Sequence, residues 1–302
     1  ACVGVAMRTV GIIGIGDMGS GVARNLLKAG FTLHGYDPAP QRMADFEAAG
    51  GVPCPSVAEV GIVADAVFVM VMNGAQAEQV ILGEGGLRDT LQEGSIILLT
   101  ATIKPGEARA LGEGLEGSGI MLIDTPVSGG RPGADGGTLT LMAAGPATAM
   151  SAARPAMEAI SGTIHHVGLE AGDGQTVKAC LQSLIGSIFT GAFEATTLAA
   201  KAGVPGQVLF DVFSTSAAGC GITKAAVGNV MERKFEGTGS HINTMHKDLT
   251  IALDFARELG VPLFTAGTAM QLFEAGRTRY PDGDNQVVAR IGEEIVGAEL
   301  KQ

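Results

Sequence analysis

Short, continuous apolar runs recur along the first half of the chain, at residues 9–15, 31–36, 66–72, 95–100, 120–123, 138–143 and 164–167. Runs this short, without polar alternation, are the pattern of strands covered on both faces. Amphipathic stretches such as 18–29 and 41–49 lie between the early runs. The alternation predicts βαβ units and a mostly parallel sheet. The pattern changes after Gly172-Asp173-Gly174. Residues 175–202 read as one long apolar helix, followed by helical patterns at 205–217, 244–259, 262–275 and 285–296. Gly203 with Pro205, and Gly260 with Pro262, each mark a helix stop and a new start. No strand is predicted there.

These patterns divide the chain's 302 residues into an α/β domain, 1–168, and an all-helical domain, 169–302, joined by the long helix. A chain of this length has room for two cores. Hydrophobic residues make up 46% and charged residues 17%, which fits packed domains and excludes a disordered chain. The 46 glycines follow no three-residue period, so a collagen-like helix is excluded.

A formal net charge of -11 argues against general nucleic-acid binding, which needs a basic face. It leaves a small anionic substrate open, because one lysine and a few backbone N–H groups can hold a carboxylate locally. Cys2, Cys54, Cys180 and Cys220 show neither close pairing nor metal-ligand spacing. Reduced thiols in a cytoplasmic protein are the plain reading. No apolar run reaches the roughly 18–20 residues that span a bilayer. Met7 reads as a natural start, with the six residues before it a leader or cloning remnant.

Gly14-Ile15-Gly16-Asp17-Met18-Gly19 follows the first apolar run and opens the first helix. The first glycine permits a tight turn, the second lets backbone approach a pyrophosphate, and the third lets helix and strand pack closely. The pyrophosphate then meets a helix N-terminus, whose free N–H groups favour an anion. Asp37 ends the next apolar run, near the spacing at which a carboxylate takes the ribose hydroxyls. It would repel a 2′-phosphate, and the nearest arginine is Arg42, so the cofactor expected is NAD rather than NADP. A glycine turn that binds FAD, another nucleotide or nothing is the alternative.

Met72-Asn73 and Thr100-Ala101-Thr102 end two further strand-like runs, where ligands of open α/β sheets bind. Met72, Asn73 and Thr102 are therefore cofactor candidates, with helix capping the plainer alternative for Asn73 and Thr102. His34, His165, His166, His241 and His246 lack the spacing of a metal site, and structural roles are expected for them. No metal is expected.

Five motifs in this order resemble the β-hydroxyacid dehydrogenases, the group containing 3-hydroxyisobutyrate dehydrogenase, tartronate semialdehyde reductase and L-threonate dehydrogenase. They are the glycine turn, Thr102-Ile103-Lys104-Pro105, Asp124-Thr125-Pro126-Val127-Ser128-Gly129-Gly130, Gly174-Gln175-Thr176-Val177-Lys178 and Lys247-Asp248-Leu249. The resemblance runs from about Arg8 to Val296. It implies an N-terminal Rossmann domain, a helical C-terminal domain, a site between them, and homodimers or homotetramers formed through the helices.

The resemblance also implies roles. Lys178 is the catalytic residue, stabilising an alkoxide and exchanging its proton; the alternative is a lysine that caps or lines its helix. Gln182, one turn later, stands where many members carry Asn, and resembles the threonate branch in doing so. It binds the substrate hydroxyl or carboxylate, or is an exposed polar residue. Ser128, Gly129 and Gly130 form an oxyanion cradle, or a simple turn with Arg131 exposed beside it. Lys247 reaches cofactor or substrate while Asp248 orients, or the two are a solvated charge pair. Cys220 departs from an Asn of the threonate branch. A threonate-like sugar acid is the first substrate expected and 3-hydroxyisobutyrate the second. An imine reductase of the same architecture, or a non-catalytic NAD-binding sensor, are the rival readings; the first usually lacks the lysine at position 178.

Overall fold

A computed structural model describes residues 7–302 of the protein. Cys2 and the expected leader lie outside the described residues. The chain forms two compact units that divide after Lys178.

The first unit runs β1 (Thr9–Ile13), α1 (Asp17–Lys28), β2 (Thr32–Tyr36), α2 (Pro40–Ala48), β3 (Val52–Pro53), α3 (Val57–Val63), β4 (Ala66–Val69), α4 (Gly74–Leu82), α5 (Leu87–Thr90) and β5 (Ile96–Leu99). It continues through α6 (Pro105–Gly114), β6 (Met121–Asp124), β7 (Val127–Ser128), α7 (Gly130–Gly136), β8 (Leu139–Ala144), α8 (Ala147–Ile160) and β9 (Ser161–Gly168) into α9 (Asp173–Ala202). The strands form one sheet in the order β3-β2-β1-β4-β5-β6-β8-β7, with β9 beside β8. Pairing is parallel from β3 to β6 and between β8 and β9, and antiparallel where β8 meets β6 and β7.

Successive residues of each central strand serve opposite cores. Val10, Ile12, Phe68 and Leu98 pack on one face with Leu26, Met157 and Ile160. Ile13, Val67, Val69, Ile97 and Leu99 pack on the other with Ile81 and Leu111. Both faces are dry, which is why these strands read as unbroken apolar runs. The chain leaves β1 for β2 on one side, while β4 flanks β1 on the other. The crevice at this reversal is where open α/β sheets bind ligands.

The observed strands are shorter than several expected runs. β1 stops at Ile13 because Gly14 turns with φ +91, and β4 stops at Val69. β9 is longer than expected, since its Ser-Gly-Thr start carries no apolar signal. The two-residue strands β3 and β7 and the helices α3 to α8 were outside the expected set.

The second unit holds the rest of α9, then α10 (Gly206–Thr215), α11 (Gly221–Met231), α12 (Ile242–Glu258), α13 (Phe264–Arg279) and α14 (Val287–Val296). Its core gathers Phe189, Phe193, Met231, Ile242, Leu249 and Phe273. Phe189 stacks on Phe193 and meets Phe273 edge-on. Pro205 is the N-cap of α10 rather than its first residue, and Pro262 precedes α13 by two positions. The small residues of α11 gave no clear period. Among the described residues, none of these helices is long and apolar enough to cross a membrane.

Gly19 shows how tightly the first βαβ unit is closed. A Cβ there would stand 2.1 Å from the Gly14 carbonyl oxygen. Gly19→Ala should therefore cost about 1–3 kcal/mol. Thermal denaturation should show a lowered Tm, by about 2–4 °C for each kcal/mol; an unchanged Tm would contradict the close approach.

Candidate active site

The glycine turn sits at the reversal. Gly14 donates its N–H to the Tyr36 carbonyl at 3.0 Å, and a Cβ on Gly14 would lie 2.4 Å from the Met70 carbonyl oxygen. The turn is thus wedged between the ends of β2 and β4. Gly16 is the N-cap of α1, and no side chain caps that end. A Cβ on Gly16 would meet nothing nearer than the Arg42 guanidinium at 3.7 Å. A helix N-terminus with no side-chain cap, and a guanidinium beside it, fits the pyrophosphate of a dinucleotide. Asp17 opens the helix exposed, and Met18 is half-buried behind it.

Asp37 lies at the end of β2 as the spacing predicts, but it is almost wholly buried. Its Oδ2 accepts the Ile15 N–H at 2.8 Å and its Oδ1 accepts the Ala39 N–H at 2.9 Å. Arg42 Nη1 stands 3.4 Å from Oδ2. The carboxylate therefore holds the glycine turn in shape, whatever else it binds. Arg42, the arginine nearest to Asp37 along the sequence, is brought over Gly16 by the first turn of α2.

Among the other strand-end candidates, Asn73 is the N-cap of α4: its Oδ1 accepts the Gln76 N–H at 2.9 Å. Met72 is exposed, and its N–H donates to Gln76 Oε1. Thr102 is half-buried in the loop after β5, and Lys104, not Thr102, is the N-cap of α6.

Lys178 is buried, and its ammonium donates to the Val127 carbonyl at 2.9 Å. Val127 precedes Ser128 on β7, so the ammonium head is fixed beside the expected cradle. Gly129 and Gly130 both have positive φ, at +131 and +58, and lead into α7. Only glycine enters this pair of conformations readily, which leaves the backbone here exposed and without Cβ atoms. Arg131 is half exposed and pairs with Asp135.

The start of α9 is tied to the sheet by Asp124. This fully buried carboxylate accepts the Gly172 N–H at 2.8 Å and the Gln175 N–H at 3.1 Å through Oδ2, and Gln175 Nε2 at 2.8 Å through Oδ1. Gln175 also donates to the Ala101 carbonyl and accepts the Ile103 N–H. Burial pushes the Asp124 carboxyl up to about 6, against the pull of the bonds from Gln175 and Gly172. Both residues lie within motifs of the linear sequence, which assigns neither of them a role. The available signal was a carboxylate closing an apolar strand, with an amide opening an apolar helix.

In the second unit, Gln182 is buried and donates to Asp248 Oδ2 at 2.7 Å. The Lys247 ammonium stands 3.1 Å from Asp248 Oδ1. Asp248 is buried, so the alternative of a solvated pair does not describe it. Cys220 is the N-cap of α11, exposed, with its thiol pulled down by the Thr223 hydroxyl and backbone. His34 and His165-His166 lie in strands, and His241 caps α12. Among the described residues no cluster of His, Cys, Asp or Glu has the makings of a metal site.

Residues 9–168 match the NAD-binding domain of 6-phosphogluconate dehydrogenase, and residues 172–291 match the NAD-binding of NADP-dependent 3-hydroxyisobutyrate dehydrogenase. An L-threonate dehydrogenase of Cupriavidus necator is 38% identical over 285 residues, covering 94% of this chain and 96% of the relative. An L-threonate dehydrogenase of Escherichia coli is 33% identical over 284 residues, covering 93% and 94%. The crystal structure of a 3-hydroxyisobutyrate dehydrogenase from Salmonella typhimurium superposes with a TM-score of 0.86 at 32% identity, covering 94% of this chain and 99% of that one.

The raised Asp124 carboxyl sets a pH dependence of stability. The folded state holds this proton up to about pH 6, while the unfolded chain releases it near the ordinary 3.8. Between those values the folded state binds more protons, so this group's contribution falls as pH rises. The loss is on the order of 3 kcal/mol. The stability of the wild type relative to Asp124→Asn should decline from pH 4 to 6 and level off above; denaturant titrations showing a pH-independent difference would refute it.

Proposed function

Because this chain belongs to the 3-hydroxyisobutyrate dehydrogenase family, oxidoreductases acting on CH–OH groups, we propose that it interconverts a threonate-like four-carbon sugar acid and its keto acid with NAD. 3-Hydroxyisobutyrate is the second substrate in this reading. The observation that carries it is the Lys178 ammonium, buried and held on the Val127 carbonyl next to Ser128. A bound nicotinamide supplies the ring carbon that takes or returns the hydride.

Lys178 then moves the proton. Its neutral amine accepts the proton of the substrate hydroxyl during oxidation, and its ammonium returns it during reduction. In the charged form it also steadies negative charge on the reacting oxygen. Ser128, Gly129 and Gly130 hold the acid's carboxylate through the hydroxyl and backbone N–H groups. Gln182 and Lys247 are the substrate-binding residues of the helical unit, with Lys247 also a cofactor contact. Asp248 supports this by fixing the Gln182 amide. The threonate-type substrate rests on Gln182 in place of Asn and on the two L-threonate dehydrogenases it resembles.

Gly14, Gly16, Asp17, Met18 and Gly19 hold the dinucleotide, with Asp37, Met72, Asn73 and Thr102 lining it. Asp37 favours NAD, because a buried carboxylate at the ribose edge disfavours a 2′-phosphate, with the Arg42 guanidinium 3.4 Å away offsetting part of its charge. The reading includes a cofactor part at 1–168, a helical part at 169–302, and a cytoplasmic homodimer or homotetramer. The presence of Lys178 and the Ser128 cradle speaks against an imine reductase and a non-catalytic sensor.

Absorbance at the reduced-cofactor band, followed with a panel of hydroxy acids, tests the substrate and cofactor together. L-Threonate should be turned over, with a higher kcat/KM for NAD than for NADP; a preference for NADP would overturn the role of Asp37. Lys178→Ala should lower kcat by about 10²–10⁴-fold with the Kd for NAD unchanged. Unaltered turnover would remove Lys178 from the mechanism.

A further inference from the structure

Proton transfer needs more than a lysine of the right type. Its nitrogen must stay within a fraction of an ångström of one point, and a long, flexible side chain does not achieve that alone. Lys178 is held at its head and at its root. The head is fixed by the Val127 carbonyl. The root is fixed by the first turn of α9, and that turn is where Asp124 acts.

We propose that Asp124 is a positioning residue for Lys178, acting through Gln175 and the first turn of α9. The inference rests on the reading of Lys178 as the proton-exchanging group. One oxygen of Asp124 accepts the N–H groups of Gly172 and Gln175, which the opening of a helix leaves without partners. The other accepts the side-chain amide of Gln175. That amide bridges onward to the Ala101 carbonyl and the Ile103 N–H, in the loop after β5. Gln175 lies three residues before Lys178, one helical turn away. The root of Lys178 is thereby tied to the ends of β5 and β6.

The head anchor comes from the same short segment. Val127 follows Asp124 by three residues, with Ser128 next. Residues 124–128 thus fix both ends of Lys178 and carry the expected cradle. A Cβ on Gly174 would stand 2.6 Å from the carbonyl oxygens of Asp124 and Met142, so helix and strands are in backbone contact at this point. A cap alone needs no buried charge: serine, threonine or asparagine would serve an exposed helix end. Here the carboxylate is wholly buried, with both oxygens bonded. It supplies three acceptor sites in fixed directions, and the third orders Gln175.

Three variants of the full-length chain test this, with NAD, and with L-threonate and 3-hydroxyisobutyrate as probe substrates. Active sites are counted by NAD titration, so misfolded protein does not enter kcat. Lys178→Ala comes first: full turnover there defeats the reading of Lys178 itself. With Lys178→Ala inactive, Asp124→Asn should lower kcat by at least about tenfold. Its KM should move by less than about threefold, and its Kd for NAD should not change. The Asn amide would face the Gln175 amide, donor against donor.

A wild-type kcat for Asp124→Asn overturns the proposal. Where Asp124→Asn yields no NAD-binding protein, Gln175→Leu decides instead. It keeps the carboxylate and both backbone bonds and removes only the bridge. A fall in kcat at constant KM supports the positioning role, and an unaltered kcat refutes it.

Discussion

A parallel sheet buried on both faces confines polar chemistry to the ends of its strands. The central strands of this protein have no solvated face, so a polar residue inside them would lack partners. Many candidates of the first unit accordingly lie near a strand's carboxyl end, while Lys178 is carried by α9. Gly14 follows β1, Asp37 follows β2, Met72 and Asn73 follow β4, Thr102 follows β5, and Ser128 closes the short β7 just beyond β6. The reversal of strand order at β1 opens the crevice between them. The glycines then let backbone come within reach of a dinucleotide at that crevice.

Several of these polar residues are committed to the fold before any ligand arrives. Asp37 braces the glycine turn through the Ile15 N–H, and Asn73 caps α4. Asp124 binds the first turn of α9 to the sheet. Such bonds preorganise a site, because the groups that meet a ligand are already held in place when it binds. They also mean that removing one of these side chains disturbs geometry as well as contact.

The second unit shows the same economy. The Asp248 carboxylate holds the Gln182 amide, with the Lys247 ammonium at its other oxygen. The amide's donor end is thereby occupied and its orientation set. The departure from Asn to Gln lengthens the side chain by one methylene, and Asp248 restrains the freedom that the extra bond would otherwise add.

The linear sequence by itself determined the class of fold, the glycine turn, the long helix of Lys178 and the change from α/β to all-helical structure. Those features are local: period, glycine spacing and strand-ending residues lie within a few positions of one another. It did not reveal β3, β7 or α11, which are too short or too weakly patterned to announce themselves. Nor did it give the tasks of Asp124 and Gln175, the bracing by Asp37, or the place of Arg42 over Gly16. Each depends on partners that the sheet order brings together from distant segments: Gln175 meets Ala101 across 74 positions and Asp124 across 51. A side chain's chemistry can be read from its type, but the donors and acceptors it meets are chosen by the packing of the tertiary structure.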